Sequence, residues 1–133
     1  MIVDRGANCW VLWMRVLIVE DEAIIAMDLT DIVESAGHTV VGPGHSAAVA
    51  EDYARFSEID FALLDINLGR GQTTEGVAAL LAARGIPFVF LSAYTRETVS
   101  FVGSHTILAK PYSEEAIRAY LAKICCACAT DFA

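Results

Sequence analysis

Short apolar runs alternate along the chain with segments in which apolar residues recur every three or four positions. Runs that are apolar throughout are typical of strands buried on both faces of a parallel sheet, and the spaced segments are typical of amphipathic helices. The predicted strands are residues 16–19, 38–42, 59–64, 86–91 and 105–108. The predicted helices are residues 23–36, 47–56, a third that is capped by Thr73 or Thr74 and ends at residue 84, 95–102, and a last one that begins at Ser113. This alternation predicts an α/β fold with a five-stranded parallel sheet.

Residues 1–14 and 125–133 lie outside this alternation. The sequence therefore predicts a single domain over residues 15–124, preceded by an N-terminal extension and followed by a C-terminal tail. The extension either does not belong to the natural protein, whose translation would then begin at Met14, or is disordered, or packs its tryptophans onto the domain or a partner. The predicted helix over residues 95–102 is short, and we expect it to be stunted or mobile.

Composition and charge exclude several classes of protein. Apolar residues make up 56% of the 133 residues, which favours a folded domain with a core over a disordered chain. No apolar run reaches the ~18 residues that cross a bilayer, and the N-terminus lacks the cleavage site of a signal peptide, so we expect a cytoplasmic protein without membrane contact. The net charge of −8 comes without a basic cluster, which argues against direct binding of nucleic acid.

Three of the four cysteines lie close together near the C-terminus, at positions 125, 126 and 128. Neither they nor the histidines show the paired spacing of a zinc site, so we expect reduced cysteines on a terminal helix. His45 and His105 are expected to be structural residues rather than phosphoacceptors.

Charged and hydroxyl side chains follow four of the five predicted strands. They are Glu20 and Asp21 after the first strand, Asp65 after the third, Ser92 after the fourth and Lys110 after the fifth. Since the carboxyl ends of parallel strands lie at one edge of a sheet, these side chains are expected to converge there. Clustered carboxylates repel one another, and a divalent cation removes that repulsion. Oxygen ligands favour Mg²⁺, or Mn²⁺ in its place.

A carboxylate in such a site can act as a nucleophile toward phosphorus. Asp65 is expected to be ionised, so it can attack a phosphoryl group and form an acyl phosphate without a separate general base. The cation and the Lys110 ammonium would offset negative charge on the phosphoryl oxygens, and the Ser92 hydroxyl could donate a hydrogen bond to one of them. The simpler interpretation, that each polar residue merely caps a helix or a turn, fits any one of them alone but not all of them together.

Four short segments around these residues resemble the receiver domain of two-component response regulators. The segments are Val16-Leu17-Ile18-Val19-Glu20-Asp21-Glu22, Leu63-Leu64-Asp65-Ile66-Asn67-Leu68, Leu91-Ser92-Ala93 and Lys110-Pro111-Tyr112. Each is weak alone, but together and in this order they are specific, and the resemblance covers about residues 15–124. It implies a flavodoxin-like, doubly wound fold of five strands and five helices, with the strand order 2-1-3-4-5.

The resemblance also implies a role for each matching residue. Asp65 matches the phosphoacceptor of the family. Glu20 and Asp21 match its acidic pair, and together with Asp65 and the backbone carbonyl of Asn67 they would hold the metal ion, with Asp21 as the more direct ligand of the pair. The loop over residues 68–75 is longer than in most receivers and lacks their common proline.

Further positions match the residues that respond to the phosphoryl group. Ser92 matches the switch hydroxyl and Lys110 the phosphate-binding lysine, and the bond between Lys110 and Pro111 is expected to be cis. Ile107 stands where the family has its switch aromatic residue. Tyr94 is a candidate for that role, with ordinary packing as the alternative.

The sequence thus predicts a single-domain response regulator that accepts a phosphoryl group on Asp65 from a sensor histidine kinase or a histidine phosphotransfer protein. Residues 87–94 are similar to those of a receiver subgroup with a Phe-Ala-Thr-Gly-Tyr motif. The output would be protein–protein interaction or onward phosphotransfer, by a monomer or a weak dimer. Such a phosphoacceptor is not an enzyme, apart from catalysing its own phosphorylation and dephosphorylation.

Two alternatives to this function stay open. One is a pseudo-receiver, which binds partners without being phosphorylated. The other is a hydrolase that turns over an aspartyl phosphate. Asn67 argues against the hydrolase, because phosphatases of that type carry a second acid two residues after the nucleophile.

Overall fold

The computed structural model describes residues 13–92, 107–110 and 112–130, and these residues form five strands and four helices. The strands are β1 (Arg15–Val19), β2 (Thr39–Gly44), β3 (Phe61–Asp65), β4 (Phe88–Ser92) and β5 (Ile107–Ala109). The helices are α1 (Ala23–Ser35), α2 (Ala47–Phe56), α3 (Glu75–Ala83) and α4 (Glu114–Thr130). The prediction of a helix over residues 47–56 is confirmed with the same bounds, and the other predicted elements in the described residues begin within two residues of the observed ones.

The five strands form one parallel sheet with the order β2-β1-β3-β4-β5, which confirms the predicted topology. The register of a parallel sheet fixes which strand ends lie side by side. The register pairs nearest the carboxyl ends are Val19 with Leu64, Asp65 with Leu91, and Ser92 with Ala109. The residues that follow β1, β3, β4 and β5 therefore meet at one edge of the sheet, around the point between β1 and β3 where the strand order reverses.

Side chains on the two faces of the sheet form two apolar cores. Alternate residues of a strand point to opposite faces, so Leu17 and Val19 lie in one core and Val16 and Ile18 in the other. The first core packs against α2 and α3, and the second against α1 and α4. The central strands are therefore buried on both faces, as their unbroken apolar runs predict.

The described residues of the N-terminal extension pack against the domain. Met14 is 3% exposed and belongs to the core between the sheet, α1 and α4. Its backbone N–H donates a hydrogen bond to Nδ1 of His38 over 3.1 Å. The indole Nε1 of Trp13 donates to Oγ1 of Thr39 over 2.7 Å. The packed part of the chain thus begins at least two residues before the predicted boundary at residue 15.

The last helix continues beyond residue 124, where the sequence places the end of the domain. The Oγ of Ser113 caps its beginning by accepting a hydrogen bond from the Ala116 N–H over 3.0 Å. Its end is at Thr130, so the first residues of the predicted C-terminal tail are helical. The boundary at residue 124 therefore lies inside a helix.

Some predictions concern residues outside the described part of the chain. They are the short helix over residues 95–102, the switch role of Tyr94 and the cis bond before Pro111. A cis peptide bond does occur elsewhere, between Gly42 and Pro43 in β2. Within residues 13–92, 107–110 and 112–130, no helix combines the length and the apolar composition needed to cross a bilayer.

Candidate functional site

Three carboxylates meet at the carboxyl edge of the sheet, where the sequence predicts them. Glu20 directly follows β1, Asp21 comes next, and Asp65 is the last residue of β3. One oxygen of each carboxylate lies within 4.8 Å of an oxygen of the other two. Lys110 directly follows β5, and its Nζ lies 2.8 Å from Oε1 of Glu20 and 3.3 Å from Oδ2 of Asp65. Four of the predicted site residues therefore form one cluster.

The Glu20 carboxylate is the buried base of this cluster. The residue is fully buried, and each of its two side-chain oxygens accepts a hydrogen bond. Oε1 accepts from Nζ of Lys110 over 2.8 Å, and Oε2 accepts from the backbone N–H of Glu22 over 3.2 Å. The backbone is fixed as well, because the Glu20 N–H donates to the carbonyl of Gly44 on β2 over 3.0 Å. A buried carboxylate is costly unless it is paired, so these partners are what allow Glu20 to lie there.

The environment of Asp65 disfavours its charged form. Burial, and then the negative charge of Glu20 and a hydrogen bond with it, raise the pKa of Asp65 to about 7 from an ordinary value of 3.8. The Lys110 ammonium opposes only part of this rise. As long as no cation is bound, the Asp65 carboxyl therefore titrates near neutral pH.

The Lys110 ammonium links the two buried acids. Burial lowers the pKa of Lys110, but the Glu20 and Asp65 carboxylates outweigh that effect and raise this pKa above its ordinary value. The Lys110 backbone N–H donates to the carbonyl of Ser92 over 2.7 Å. This bond joins the ends of β4 and β5 and holds Lys110 at the edge where the carboxylates lie.

Ser92 and Asn67, two further predicted site residues, lie at the same edge. Ser92 is the last residue of β4, the strand that pairs with the end of β3, and it is 2% exposed. Asn67 comes two residues after Asp65, in the loop that leaves β3, and its side chain is exposed. The predicted roles of Tyr94 and of the bond before Pro111 concern atoms outside the described residues.

The donor set of the cluster fits a hard divalent cation. Its three carboxylates offer only oxygen atoms, the ligand type that Mg²⁺ prefers. Among the described residues the carboxylates face one ammonium group, that of Lys110, so a divalent cation would offset the excess of negative charge. Both oxygens of Glu20 already accept hydrogen bonds, whereas Asp21 is exposed. Asp21 is therefore better placed than Glu20 as a direct ligand.

Sequence reasoning missed two neighbours of the site. Nδ1 of His45 lies 3.0 Å from the backbone carbonyl oxygen of Glu20, within hydrogen-bond distance. Tyr112 is half-buried, and burial together with the negative charges of Asp28, Glu20 and Asp65 raises the pKa of its hydroxyl above the ordinary value. Tyr112 belongs to the segment Lys110-Pro111-Tyr112, but the sequence does not show its closeness to the carboxylates, and both contacts depend on how distant loops meet.

Comparison with known proteins agrees with this geometry. The family model of the response regulator receiver domain matches residues 16–122. The chain belongs to this family. The matched range contains all three carboxylates of the cluster and Lys110, so the candidate site lies inside the receiver domain.

Individual proteins are also similar to this chain. The chain is 30% identical over 103 residues to the transcriptional regulatory protein PdtaR of Mycobacterium tuberculosis, a match that covers 74% of this chain and 50% of PdtaR. It is 31% identical over 113 residues to the phyllosphere-induced regulator PhyR of Methylorubrum extorquens, with 82% of this chain and 42% of PhyR covered. The chain also matches the solution structure of SdrG from Sphingomonas melonis, with 38% sequence identity and a TM-score of 0.73. The match covers 84% of this receiver and 96% of SdrG. The receiver thus spans half or less of the length of the two curated relatives.

Proposed function

We propose that Asp65 of this receiver accepts a phosphoryl group, in a Mg²⁺-dependent reaction, from a phosphohistidine of a sensor histidine kinase or a histidine phosphotransfer protein. The observation that carries the proposal is the position of the Asp65 carboxylate, 3.3 Å from the Lys110 ammonium and beside two further carboxylates at the point where the strand order reverses. Membership of the receiver family supports it.

The transfer requires mainly positioning and charge compensation. An Oδ atom of Asp65 attacks phosphorus and forms a new O–P bond, while the P–N bond of the donor phosphohistidine breaks. The electron pair of that bond stays on the imidazole nitrogen of the donor, and no proton has to leave an ionised Asp65. The Lys110 ammonium, already next to Asp65, can donate a hydrogen bond to a phosphoryl oxygen.

The side chains of Glu20, Asp21 and Asp65, with the Asn67 carbonyl, would hold Mg²⁺ or Mn²⁺, which supplies positive charge against the carboxylates and the phosphoryl oxygens. Without a cation, the pKa of about 7 keeps part of Asp65 protonated at neutral pH, and the protonated carboxyl is a poor nucleophile. Lys110 cannot compensate alone because it also pairs with Glu20. Phosphorylation is therefore expected to depend on the cation most strongly at and below neutral pH.

The response to phosphorylation is inferred to be a change in protein contacts. A phosphoryl group on Asp65 adds charge beside Lys110 and Ser92, the residues that join the ends of β4 and β5. Output would follow through protein–protein interaction or onward phosphotransfer in the cytoplasm, by a monomer or weak dimer. The protein would act as a phosphoacceptor rather than as an enzyme that turns over a separate substrate.

Intact-mass spectrometry tests the proposal after incubation with Mg²⁺ and a small phosphodonor such as phosphoramidate. The wild-type protein is expected to gain one phosphoryl group that hydroxylamine removes, and Asp65→Asn is expected to gain none. Asp52→Asn changes an exposed aspartate on α2 and serves as the matched control, with wild-type behaviour expected. Equal modification of the wild type and Asp65→Asn would contradict the assignment of Asp65.

The same experiment separates the alternative functions. Steady release of phosphate in large excess over the protein would indicate a hydrolase rather than a phosphoacceptor. No mass change in the wild type, together with an NMR spectrum that beryllium fluoride and Mg²⁺ leave unchanged, would indicate a binding module that carries no phosphoryl group.

A further inference from the structure

The chain after Asp65 folds into a hairpin over residues 67–73, which we call the site hairpin. Its first and last residues form an antiparallel bridge. Inside it, the Leu68 N–H donates to the carbonyl of Gln72 over 3.0 Å, and the Gln72 N–H donates to the carbonyl of Gly69 over 2.9 Å. The longer loop that the sequence shows at this place therefore has a defined structure.

Three consecutive residues at the tip of the site hairpin adopt left-handed backbone conformations. The φ angle is +77° at Gly69, 54° at Arg70 and +75° at Gly71. Glycine enters this region without steric cost, whereas an L side chain is strained there. Gly69 and Gly71 thus adopt the same left-handed backbone conformation, two positions apart.

The two glycines differ in their surroundings. A Cβ atom on Gly69 would lie 3.3 Å from Oδ2 of Asp21, which is tighter than most Cβ contacts. A Cβ atom on Gly71 would meet nothing within 4 Å. Because Asp21 is exposed, its carboxylate is free to turn away from a side chain added at Gly69, and that would take its oxygen out of the three-carboxylate cluster.

Two contacts anchor the site hairpin to the domain, one on each side of Gly69. The side chain of Leu68 is 5% exposed and packs in the core with α2 and α3. The side-chain Oε1 of Gln72 accepts a hydrogen bond from the backbone N–H of Ala47 over 3.2 Å. Ala47 is the first residue of α2, where N–H groups lack partners within the helix, so Gln72 satisfies one of them. The hairpin therefore cannot easily retreat from Asp21.

We propose that Gly69 is a positioning residue of the cation site. The anchored site hairpin confines the Asp21 carboxylate to a place within reach of the other two carboxylates, and the absence of a side chain at Gly69 leaves room for it. The Gly69 carbonyl accepts a hydrogen bond from the Gln72 N–H, and the role assigned to Gly69 is exerted through Asp21 rather than as a ligand. This inference rests on the proposed function, because the site is the one that would hold Mg²⁺ for phosphorylation.

Titration of Gly69→Ala and Gly71→Ala with Mn²⁺ alone tests the proposal. Both substitutions place alanine in the same left-handed conformation, so thermal unfolding without metal is expected to show similar losses of stability. Only Gly69→Ala crowds Asp21. Its Mn²⁺ affinity is expected to fall about tenfold or more, as when the support of a metal ligand is removed, while that of Gly71→Ala stays within about twofold of wild type. Equal Mn²⁺ affinities of the two variants would overturn the proposal.

A double-mutant cycle with Asp21→Asn shows whether Gly69→Ala lowers the Mn²⁺ affinity through Asp21. If it does, Gly69→Ala is expected to cause no further loss of Mn²⁺ affinity in the Asp21→Asn background. A second tenfold loss there would assign the effect to general disruption of the loop. Should the alanine variants not fold, Gly69→Asn and Gly71→Asn form an equivalent pair, since asparagine tolerates left-handed backbone better.

Failure of this inference and failure of the proposed function give different results. If the wild type binds Mn²⁺ and is phosphorylated but the two glycine variants bind Mn²⁺ alike, only the role of Gly69 is overturned. If the wild type binds no Mn²⁺, the metal site itself is overturned, and the positioning role falls with it.

Discussion

Two aspartates flank β3 and show how differently the two edges of one sheet accommodate charge. Asp60 precedes the strand at the amino edge, and Asp65 ends it at the carboxyl edge. Oδ2 of Asp60 accepts hydrogen bonds from the backbone N–H and from Nε of Arg15, over 2.8 and 3.1 Å, and its side chain is 38% exposed. The Asp65 side chain is 11% exposed and shares the Lys110 ammonium with Glu20.

The amino edge keeps its charges in contact with water. Arg15 pairs there with Asp60 and also with Glu58, whose side chain is 80% exposed. The hydrogen bond with Asp60 raises the pKa of Arg15, although burial opposes the rise. Solvent screens pairs of this kind, so each contributes only about 0–1 kcal/mol to stability. The fold therefore depends little on these charges.

The carboxyl edge gathers like charges where water is scarce. Glu20 is fully buried, and burial with the charge of Glu20 raises the pKa of Asp65 to about 7. A fold selected for stability alone would not group three carboxylates around one ammonium, because buried charges without matched partners are costly. Such a cluster is useful where a cation and a phosphoryl group bind. Changes at the carboxyl edge are therefore expected to alter stability more than changes at the amino edge.

The largest effect is expected from removing the Lys110 ammonium. Lys110→Met leaves the buried Glu20 carboxylate without its ion-pair partner, and breaking a buried pair from one side costs about 3–5 kcal/mol of unfolding free energy. Urea unfolding at neutral pH without divalent cations measures this cost. In the double variant Lys110→Met/Glu20→Gln most of the lost unfolding free energy is expected to be recovered, because the unpaired charge is also removed. A loss below about 1 kcal/mol in the single variant would mean that removing a cation costs no more stability at the carboxyl edge than at the amino edge.

The next effect is a dependence of stability on pH at the carboxyl edge. The pKa of Asp65 rises from 3.8 to about 7 on folding, so the native state binds this proton more tightly than the unfolded chain. The free energy of unfolding contributed by Asp65 is therefore fully present below about pH 4 and is lost as the pH rises through about 7. The loss is on the order of 2–4 kcal/mol, and urea unfolding across this pH range measures it.

Two comparisons isolate the contribution of Asp65. Asp65→Asn is expected to remove this fall in stability, because the amide does not titrate. Above about pH 7, Mg²⁺ is expected to raise the unfolding free energy of the wild type. It is expected to raise that of Asp65→Asn much less, since that variant has lost a carboxylate ligand. The same fall of stability with pH in both proteins would show that other groups cause it.

A histidine at the amino edge is expected to give a smaller effect of the opposite sign. His38 is 7% exposed, and burial lowers its pKa below the ordinary 6.5, so its contribution to stability is present above about pH 6.5 and is lost as the pH falls through the lowered pKa. Protonation also competes with the hydrogen bond that its Nδ1 accepts from Met14. His38→Asn keeps an acceptor and removes the titration. In an Asp65→Asn background, His38→Asn is expected to reduce the loss of unfolding free energy as the pH falls below about 6.5. If the loss is not reduced, groups other than His38 cause it.

The carboxyl edge is more predictable from the sequence than the loops around it, for a physical reason. Strands buried on both faces appear as unbroken apolar runs, and the residues after such runs must lie at one edge of a parallel sheet. Periodicity alone therefore brings Glu20, Asp65 and Lys110 together. The hydrogen bond from the Met14 N–H to His38 is not predictable in this way, because no local pattern records which distant segments meet.

The finer properties of the site are also beyond a local pattern. The Gly-Arg-Gly sequence around Arg70 indicates a turn, but it does not show that Gly69 faces the carboxylate of Asp21. From the sequence alone, Asp65 is expected to be ionised. Its pKa of about 7 comes from burial and from Glu20, both of which depend on the assembled fold.

The smallest effect is expected from the corresponding change at the amino edge, Arg15→Met. Its guanidinium pairs with Asp60, and its Cζ lies 5.6 Å from the ring centroid of Trp13, but exposed contacts of this kind contribute about 0–1 kcal/mol. Lys110→Met and Arg15→Met both replace a cation by methionine, so they form a matched pair for urea unfolding. At about 1 M salt, where screening acts within about 3 Å, the loss in Arg15→Met is expected to shrink while the loss in Lys110→Met persists.

A loss in Arg15→Met as large as that in Lys110→Met would contradict the contrast between the two edges. The Arg15 backbone N–H still donates to Oδ2 of Asp60 in the variant, and the Asp60 N–H still donates to the Arg15 carbonyl over 2.8 Å. Water can replace the guanidinium at this exposed carboxylate. Glu20 in Lys110→Met loses its cation and keeps, among the described residues, the hydrogen bond from the Glu22 N–H and the one with Asp65, and its carboxylate stays fully buried. The access of water to the acid that loses its partner is therefore what sets the two costs apart.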